Sequence, residues 1–308
     1  FALFSHMKKS WDAPRLLSFV FRLAFLMPLL LPFRSCLAFG KTSSNLQVIR
    51  SGSFFPRTLR AGASNQGSIR MSSSEKVKAS RGDSIGGDGI TLIPEDEEYT
   101  NVVVWNHGLG DTAMGWYSAM PAFGLTKTKF ILPTAPTRPI TLNMGMAMPG
   151  WSDIRGLDKE DDEDEPGFEE SRARIESIVR SEVDKGISPS KIVVGGFSQG
   201  GALALYYSLQ NTHGIAGCVG FSSWLPLSAK FPAAVSDAAR GGLKILQCHG
   251  DADEVVRTAW GKLSHEKIKG ELGFADAAWE EYPGMAHSAC DEELQRCAEF
   301  LKGLFGQS

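Results

Sequence analysis

The sequence predicts an α/β protein, in which a mainly parallel β-sheet is covered by helices on both faces. Short apolar, β-branched runs alternate with segments whose apolar residues recur at helical spacing. This alternation is typical of strand–helix–strand units, whose parallel strands are buried on both sides. In such sheets, functional residues follow the carboxyl ends of the strands. We therefore expect the informative side chains directly after each apolar run.

The strand candidates are apolar runs that are too short to form a helix. They are residues 102–105, 129–132, 192–194, 215–220 and 243–248, with a weaker candidate at 277–282. Helical patterns cover residues 168–185, 199–210 and 291–304. The interval between Trp151 and Phe168 is the largest insertion, and it is too short to form a large cap domain over the sheet.

Charge is distributed unevenly along the 308 residues. Residues 1–74 contain ten Lys or Arg and one acid, whereas the remaining 234 residues have a net charge of −12. A body this acidic repels phosphate, so we expect no nucleic-acid partner. The apolar fraction of 43% is that of an ordinary soluble globular protein and is too low for one with many membrane spans.

The charge pattern divides the chain into three parts. Residues 1–74 are predicted to be an N-terminal targeting leader, residues 75–88 a polar, Gly-rich linker, and residues 89–308 the folded domain. About 234 residues are enough to bury one sizeable core.

The leader itself combines two targeting patterns. Basic residues precede an apolar run at 23–33, and small residues follow at Cys36-Leu37-Ala38, which is the layout of a secretory signal peptide. Residues 39–74 contain no acid and are rich in Ser, as in transit peptides. The combination resembles the leaders of proteins sent to plastids bounded by extra membranes. We expect an organellar location, or a cytoplasmic one if translation starts at Met71.

A candidate nucleophile stands between a predicted strand and a predicted helix. Gly196-Phe197-Ser198-Gln199-Gly200 follows the apolar run at 192–194 and has the pattern G-x-S-x-G. In such a turn the flanking glycines avoid clashes, and the serine is left exposed above the sheet. The N-terminus of the following helix favours negative charge developing at the same place. This context predicts Ser198 as the nucleophile of a hydrolase.

A second glycine-rich turn, His107-Gly108-Leu109-Gly110, follows the first clear strand. In the hydrolase fold one oxyanion donor comes from this loop and the other from the residue after the nucleophile. We therefore expect the backbone N–H groups of Leu109 and Gln199 to form the oxyanion hole, each stabilising the transition state by roughly 3–4 kcal/mol. His107 precedes the nucleophile, which is the wrong order for this type of triad, so we expect it to hold the loop by hydrogen bonds.

The base and the acid are expected downstream of the nucleophile, in the order Ser, acid, His. His287 lies in a loop between the last strand and the final helix, which suits a base that must reach across to Ser198. Two candidate acids, Asp251 and Asp253, follow the strand at 243–248. Position alone does not separate them, since either could instead stabilise a turn.

Several separated segments together resemble the acyl-protein thioesterase (lysophospholipase) family of small α/β-hydrolases, over roughly residues 88–305. The matching segments are His107-Gly108-Leu109-Gly110-Asp111, the run from Ala135-Pro136 through Arg138-Pro139 to Asn143, Met148 and Trp151, Gly196-Phe197-Ser198-Gln199-Gly200-Gly201, Trp224-Leu225-Pro226, Gln247-Cys248-His249-Gly250-Asp251 and His287-Ser288. The resemblance implies an α/β-hydrolase fold and a triad of Ser198, Asp253 and His287, with no metal or cofactor. Glu254 and Arg257 stand where the family often has proline, which leaves the triad intact.

The resemblance also implies substrates: S-acylated proteins or lysophospholipids, met in transient contact with a membrane surface. Met144, Met148, Trp151 and Leu225 are candidates for the acyl-binding residues, since flexible thioethers suit an alkyl chain; plain core packing is the alternative. Two other functions stay open at this point. One is a carboxylesterase for short esters, and the other is a non-catalytic receptor or scaffold with the hydrolase fold.

Overall fold

An eight-stranded sheet forms the centre of the fold in the computed structural model, which describes residues 77–95, 98–156 and 163–307. The strands are β1 (Val77–Arg81), β2 (Gly89–Pro94), β3 (Asn101–Asn106), β4 (Thr128–Pro133), β7 (Ile192–Phe197), β8 (Gly217–Phe221), β9 (Lys244–Gly250) and β10 (Ala278–Tyr282). Their order across the sheet is β1-β2-β4-β3-β7-β8-β9-β10. The pairs from β4 to β10 are parallel, and β1 and β2 form an antiparallel edge. The mainly parallel sheet is therefore confirmed.

Two further strands and six helices surround this sheet in the described part of the chain. The strands β5 (Thr137–Ile140) and β6 (Met146–Pro149) form a separate antiparallel hairpin. The helices are α1 (Ala113–Tyr117), α2 (Glu165–Asp184), α3 (Gln199–Gln210), α4 (Asp237–Arg240), α5 (Thr258–Glu266) and α6 (Asp291–Phe305). Short 3₁₀ turns occupy Pro121–Phe123, Thr141–Asn143, Pro189–Lys191 and Ser228–Lys230, and a π-helical turn, Lys267–Glu271, follows α5.

Alternate residues of the central strands serve the two faces of the sheet, because successive side chains of a strand point in opposite directions. Val102 and Val104 of β3 are fully buried in the core that contains the apolar faces of α2 and α3. On the opposite face Trp105 packs against Trp116 of α1, with ring centroids 5.2 Å apart. Helices therefore cover both faces, as the fully apolar strands predict, and burial of each large side chain stabilises the fold by about 1.5–3 kcal/mol.

The predicted linker is wrong in part. Residues 77–81 form β1, which pairs antiparallel with β2, and Arg174 of α2 holds the intervening turn through Asp83 at 2.9 Å. The predicted leader, residues 1–74, lies outside the described residues. In the described ranges, no helix has both the length and the apolar character needed to cross a membrane.

Candidate active site

Ser198 occupies a strained turn between β7 and α3. Its φ of 54° and ψ of −123° lie in a region that side chains rarely adopt. Its N–H donates to the carbonyl of Phe221 at 2.8 Å, which fixes the turn to β8. A Cβ atom at Gly196 would lie 2.5 Å from the backbone of Gly200, so the turn requires glycine there. The strained turn predicted for G-x-S-x-G is therefore present, but Ser198 is only 9% exposed, so the expectation of an exposed serine is wrong.

The structure brings the three predicted side chains together. His287 Nε2 lies 3.0 Å from Ser198 Oγ, and His287 Nδ1 lies 2.7 Å from Asp253 Oδ2. Because the ionised carboxylate can only accept, Nδ1 carries a proton and Nε2 is free to accept the hydroxyl proton. The arrangement is that of a nucleophile, a base and an orienting acid in hydrogen-bonding sequence.

Asp253 is buried, and its environment favours the ionised form. Its Oδ1 accepts hydrogen bonds from the N–H groups of Val255 and Val256, each at 2.9 Å. Burial alone would raise the pKa of this carboxyl, but the contacts with His249 and His287 and the backbone N–H groups outweigh burial and hold the pKa well below its ordinary value. Asp253 therefore presents a negative charge to the imidazole of His287.

The alternative acid, Asp251, is exposed, and the hydrogen bond from His287 Nδ1 goes to Asp253 instead. Its carboxylate accepts from the backbone N–H of Gly284 in the loop that carries His287. The geometry therefore favours Asp253 over Asp251 as the acid, because Asp253 contacts the imidazole and Asp251 contacts the loop.

The loop after β3 is held next to Ser198 by His107. The N–H of Ala135 donates to His107 Nε2 at 3.0 Å, so Nδ1 carries the proton and donates to the carbonyl of Gly108 at 2.7 Å. Burial lowers the pKa of His107 to about 4, despite the opposing effect of the Gly108 carbonyl. The neutral ring therefore serves as a strut for the loop, as its position in the chain suggests.

Two backbone N–H groups are available to a substrate oxygen. A Cβ atom at Gly108 would lie 3.4 Å from Ser198 Cβ, which shows how closely this loop approaches the nucleophile. Within the described ranges, the N–H of Leu109 donates to no protein atom. The N–H of Gln199 is at the first position of α3, where helices leave their N–H groups unpaired. Both are the donors that the sequence predicts for an oxyanion hole.

The side chain of Gln199 has a second task that the sequence did not reveal. Its Oε1 accepts from the N–H of Trp151 at 2.9 Å, and its Nε2 donates to the carbonyl of Ser152 at 2.8 Å. Trp151 in turn donates from its indole N–H to the carbonyl of His107 at 2.8 Å. The first residue of α3 therefore fastens the segment at 151–152, which supports the oxyanion loop.

The four predicted acyl-binding residues have different positions. Trp151 and Leu225 are buried, with exposed fractions of 0% and 4%, so they support the site from within the core. For these two, the alternative of core packing is the better description. Met144 is 83% exposed at the tip of the β5–β6 hairpin, whereas Met148 lies next to Gly110 of the oxyanion loop. Of the two methionines, Met148 is thus the one that lies beside the oxyanion loop.

The described ranges contain no group of three or more His, Cys, Asp or Glu side chains arranged to hold a metal ion. The chemistry of the site is carried by a hydroxyl, an imidazole, a carboxylate and backbone N–H groups.

Residues 88–305 match the phospholipase/carboxylesterase family. Acyl-protein thioesterase 1 of Gibberella zeae is 44% identical over 222 residues, which are 68% of this chain and 93% of that protein. Acyl-protein thioesterase 1 of Neurospora crassa is 42% identical over 220 residues, which are 68% of this chain and 89% of that protein. The crystal structure of Zea mays acyl-protein thioesterase 2 is similar, with a TM-score of 0.64 and 29% identity, covering 71% of this chain and 100% of that one.

Proposed function

The chain belongs to the phospholipase/carboxylesterase family, and from this premise we propose that it is a serine hydrolase that removes long acyl chains from thioesters on proteins or from lysophospholipids. The observation that carries the proposal is the continuous line of hydrogen bonds from Ser198 through His287 to Asp253. The names of relatives such as acyl-protein thioesterase 1 support the choice of S-acylated proteins as substrates.

The first half of the reaction forms an acyl-enzyme. Ser198 Oγ attacks the acyl carbonyl carbon while its proton passes to His287 Nε2. The carbonyl oxygen becomes an oxyanion and accepts hydrogen bonds from the N–H groups of Leu109 and Gln199. When the bond to the leaving group breaks, the imidazolium returns its proton to that thiol or alcohol, and the acyl group stays on Ser198.

The second half releases the acid. Water gives a proton to His287 Nε2 and attacks the acyl-enzyme, and the proton then returns to Ser198 Oγ as the fatty acid leaves. Throughout, Asp253 fixes the imidazole tautomer and stabilises the imidazolium without taking the proton itself. This cycle uses only side chains, backbone N–H groups and water.

The experiment that tests the proposal is a substrate panel on the purified domain. Esters and thioesters of increasing chain length, with an S-palmitoylated peptide and a lysophospholipid, are compared for wild type and Ser198→Ala. We expect turnover of long-chain substrates by the wild type, together with labelling by a serine-reactive fluorophosphonate, and loss of both in the variant. Turnover of short esters alone would identify a short-chain carboxylesterase, and no turnover of any acyl substrate would refute a hydrolase.

We also propose that the tip of the β5–β6 hairpin contacts the membrane surface that carries the acylated substrate. Met144 and Met146 at its tip are 83% and 46% exposed, and large apolar side chains at such exposure suit contact with lipid or an acyl chain. Sedimentation with phosphatidylcholine vesicles should be weaker for Met144→Ser combined with Met146→Ser than for the wild type. Equal sedimentation would refute this contact.

For the compartment, we propose that residues 1–74 direct the chain to an organelle such as a plastid bounded by extra membranes. The support is the basic and apolar segment before Cys36, followed by the acid-free stretch at 39–74. Sequencing the mature N-terminus tests this. A terminus between residues 39 and 77, other than Met71 or Ser72, is expected, whereas a terminus at Met71 or Ser72 would show that translation starts at Met71 and would refute the proposal.

A further inference from the structure

A second imidazole, that of His249, lies against the triad acid. His249 is at the end of β9, and its Nε2 lies 3.4 Å from Asp253 Oδ2, the same oxygen that accepts from His287. The side chain is 1% exposed and contacts neither Ser198 nor solvent. The reaction described above gives it no step.

The contacts of His249 define which ring nitrogen carries the proton. Its Nε2 lies 2.8 Å from the carbonyl oxygen of Val256, which can only accept, so Nε2 is the donor. Its Nδ1 is buried and has no hydrogen-bond partner in the described ranges. The N–H at Nε2 therefore points toward Val256 and, at the longer distance, toward the carboxylate of Asp253.

This donor controls the loop that positions the acid. The backbone of Val256 is held on both sides. Its carbonyl oxygen accepts from His249 Nε2, and the N–H of Val256 donates to Asp253 Oδ1 at 2.9 Å. If His249 no longer bound the Val256 carbonyl, the loop that follows Asp253 would lose one of the bonds that fix it beside the carboxylate. The orientation of Asp253 toward His287 therefore depends on His249 through the backbone as well as directly.

The ring of His249 has almost no room to move. It stacks on Trp279 of β10, with ring centroids 5.8 Å apart and planes 26° from parallel. On another side, a Cβ atom at Gly261 of α5 would lie 2.5 Å from Nδ1. A glycine in a helix interior destabilises it by about 1 kcal/mol relative to alanine, and here the missing side chain makes room for the imidazole.

We propose that His249 is a positioning residue for hydrolysis, which holds Asp253 in the orientation that His287 needs without touching the substrate. The inference rests on the proposed hydrolase function. It goes beyond the three-residue site, because it assigns a fourth side chain whose effect reaches Ser198 only through Asp253 and His287.

The test compares His249→Leu with His249→Gln on a p-nitrophenyl ester that the wild type hydrolyses. The leucine variant loses the donor, and we expect kcat to fall by about 10–100-fold with KM nearly unchanged, as for a slightly misplaced catalytic group. The side-chain amide of glutamine supplies an N–H near the position of Nε2, so this variant should recover most of the activity. A merely structural histidine would give no such separation of kcat from KM and no rescue.

A second variant perturbs the ring without replacing it. Gly261→Ala brings a methyl group against Nδ1, and it should lower kcat while the alanine favours the helix. Circular dichroism and melting curves establish that each variant is folded. Folded His249→Leu with the kcat of the wild type overturns the inference, as does folded Gly261→Ala with unchanged kcat if the leucine variant fails to fold. Absence of turnover in the wild type would instead overturn the proposed function.

Discussion

The carboxylate of Asp251 accepts a hydrogen bond of 2.6 Å from the backbone N–H of Gly284, and this bond joins the acid loop to the base loop. Two backbone bonds of 3.1 Å strengthen the junction: Asp251 N–H to the carbonyl of Tyr282, and Ala252 N–H to the carbonyl of Met285. Gly284 has a φ of 72°, a conformation that favours glycine. The two neighbouring acids thus act differently, since Asp253 contacts the imidazole and Asp251 holds the backbone from which the imidazole extends.

Substitution of the two acids should separate these roles. Asp253→Asn should lower kcat by roughly 10⁴-fold, because the imidazole loses its charged partner and adopts the wrong tautomer. Asp251→Ala removes one hydrogen bond to the base loop, worth about 1 kcal/mol, and should lower kcat by less than about tenfold. Steady-state kinetics on one ester, with melting curves of both variants, measure this. Losses of equal size, or a larger loss for Asp251→Ala, would contradict the assignment of the acid.

The side chain of Gln199 should affect the rate although it does not touch the reacting atoms. Gln199→Ala keeps the backbone N–H that faces the oxyanion but removes the bonds to Trp151 and Ser152. We expect kcat to fall by about tenfold, because misplacing one oxyanion donor costs part of its roughly 3–4 kcal/mol. Gln210→Ala at the other end of α3 is the matched control, since its side chain donates to the carbonyl of Tyr206 within the same helix. Equal kcat values for the two variants would show that the segment at 151–152 does not support catalysis.

Stability should depend on pH through His107. Its pKa is lowered by burial to about 4 in the folded state, against an ordinary value of 6.5. The unfolded chain therefore binds the proton first, and the contribution of the neutral ring is fully present above pH 6.5 and is lost as the pH falls toward 4. This contribution to the free energy of unfolding is roughly 3 kcal/mol. Urea unfolding at several pH values should give a shallower loss of stability for His107→Asn than for wild type; parallel curves would contradict this.

Gly200 should tolerate no side chain. A Cβ atom there would lie well inside contact distance of the carbonyl groups of Asn106 and His107, which are backbone and cannot turn away. Gly200→Ala should destabilise the fold by about 3 kcal/mol or more and abolish hydrolysis. Gly303→Ala in α6, where a Cβ atom meets nothing within 4 Å, is the control and should be neutral or stabilising by up to about 1 kcal/mol. Melting temperatures of the two variants and the wild type measure this difference. A Gly200→Ala variant that is stable and active would refute the close packing.

The parts of the fold that the sequence predicts well are those with one dominant physical signal. The apolar runs at 192–194 and 243–248 cannot be exposed, and they extend into β7 and β9 as expected. The edge strand β1 was missed because its sequence, Val-Lys-Ala-Ser-Arg, is mostly exposed and has no apolar face. The hairpin strand β5 contains a proline, which argues against a strand although an edge accepts it.

The site shows the same division. Ser198 and His287 follow from local context, because a glycine-flanked turn and a loop after a strand each define their chemistry. Asp251 and Asp253 are two residues apart on one loop, so the choice needs the three-dimensional path of the chain. The burial of Trp151 likewise depends on contacts with His107 and Gln199 that are distant in sequence. Propensity and spacing contain no information on such contacts.

The close approach of Gly200 to the loop after β3 makes one mechanical unit of two segments that are far apart in the chain. Thermal motion that shifts the start of α3 must carry Asn106 and His107 with it, because no side chain separates the two backbones. The amides of Leu109 and Gln199 should therefore keep their spacing when the surrounding surface loops fluctuate. The geometry of the oxyanion hole is therefore set by backbone packing at Gly200 and not by the surface side chains around it.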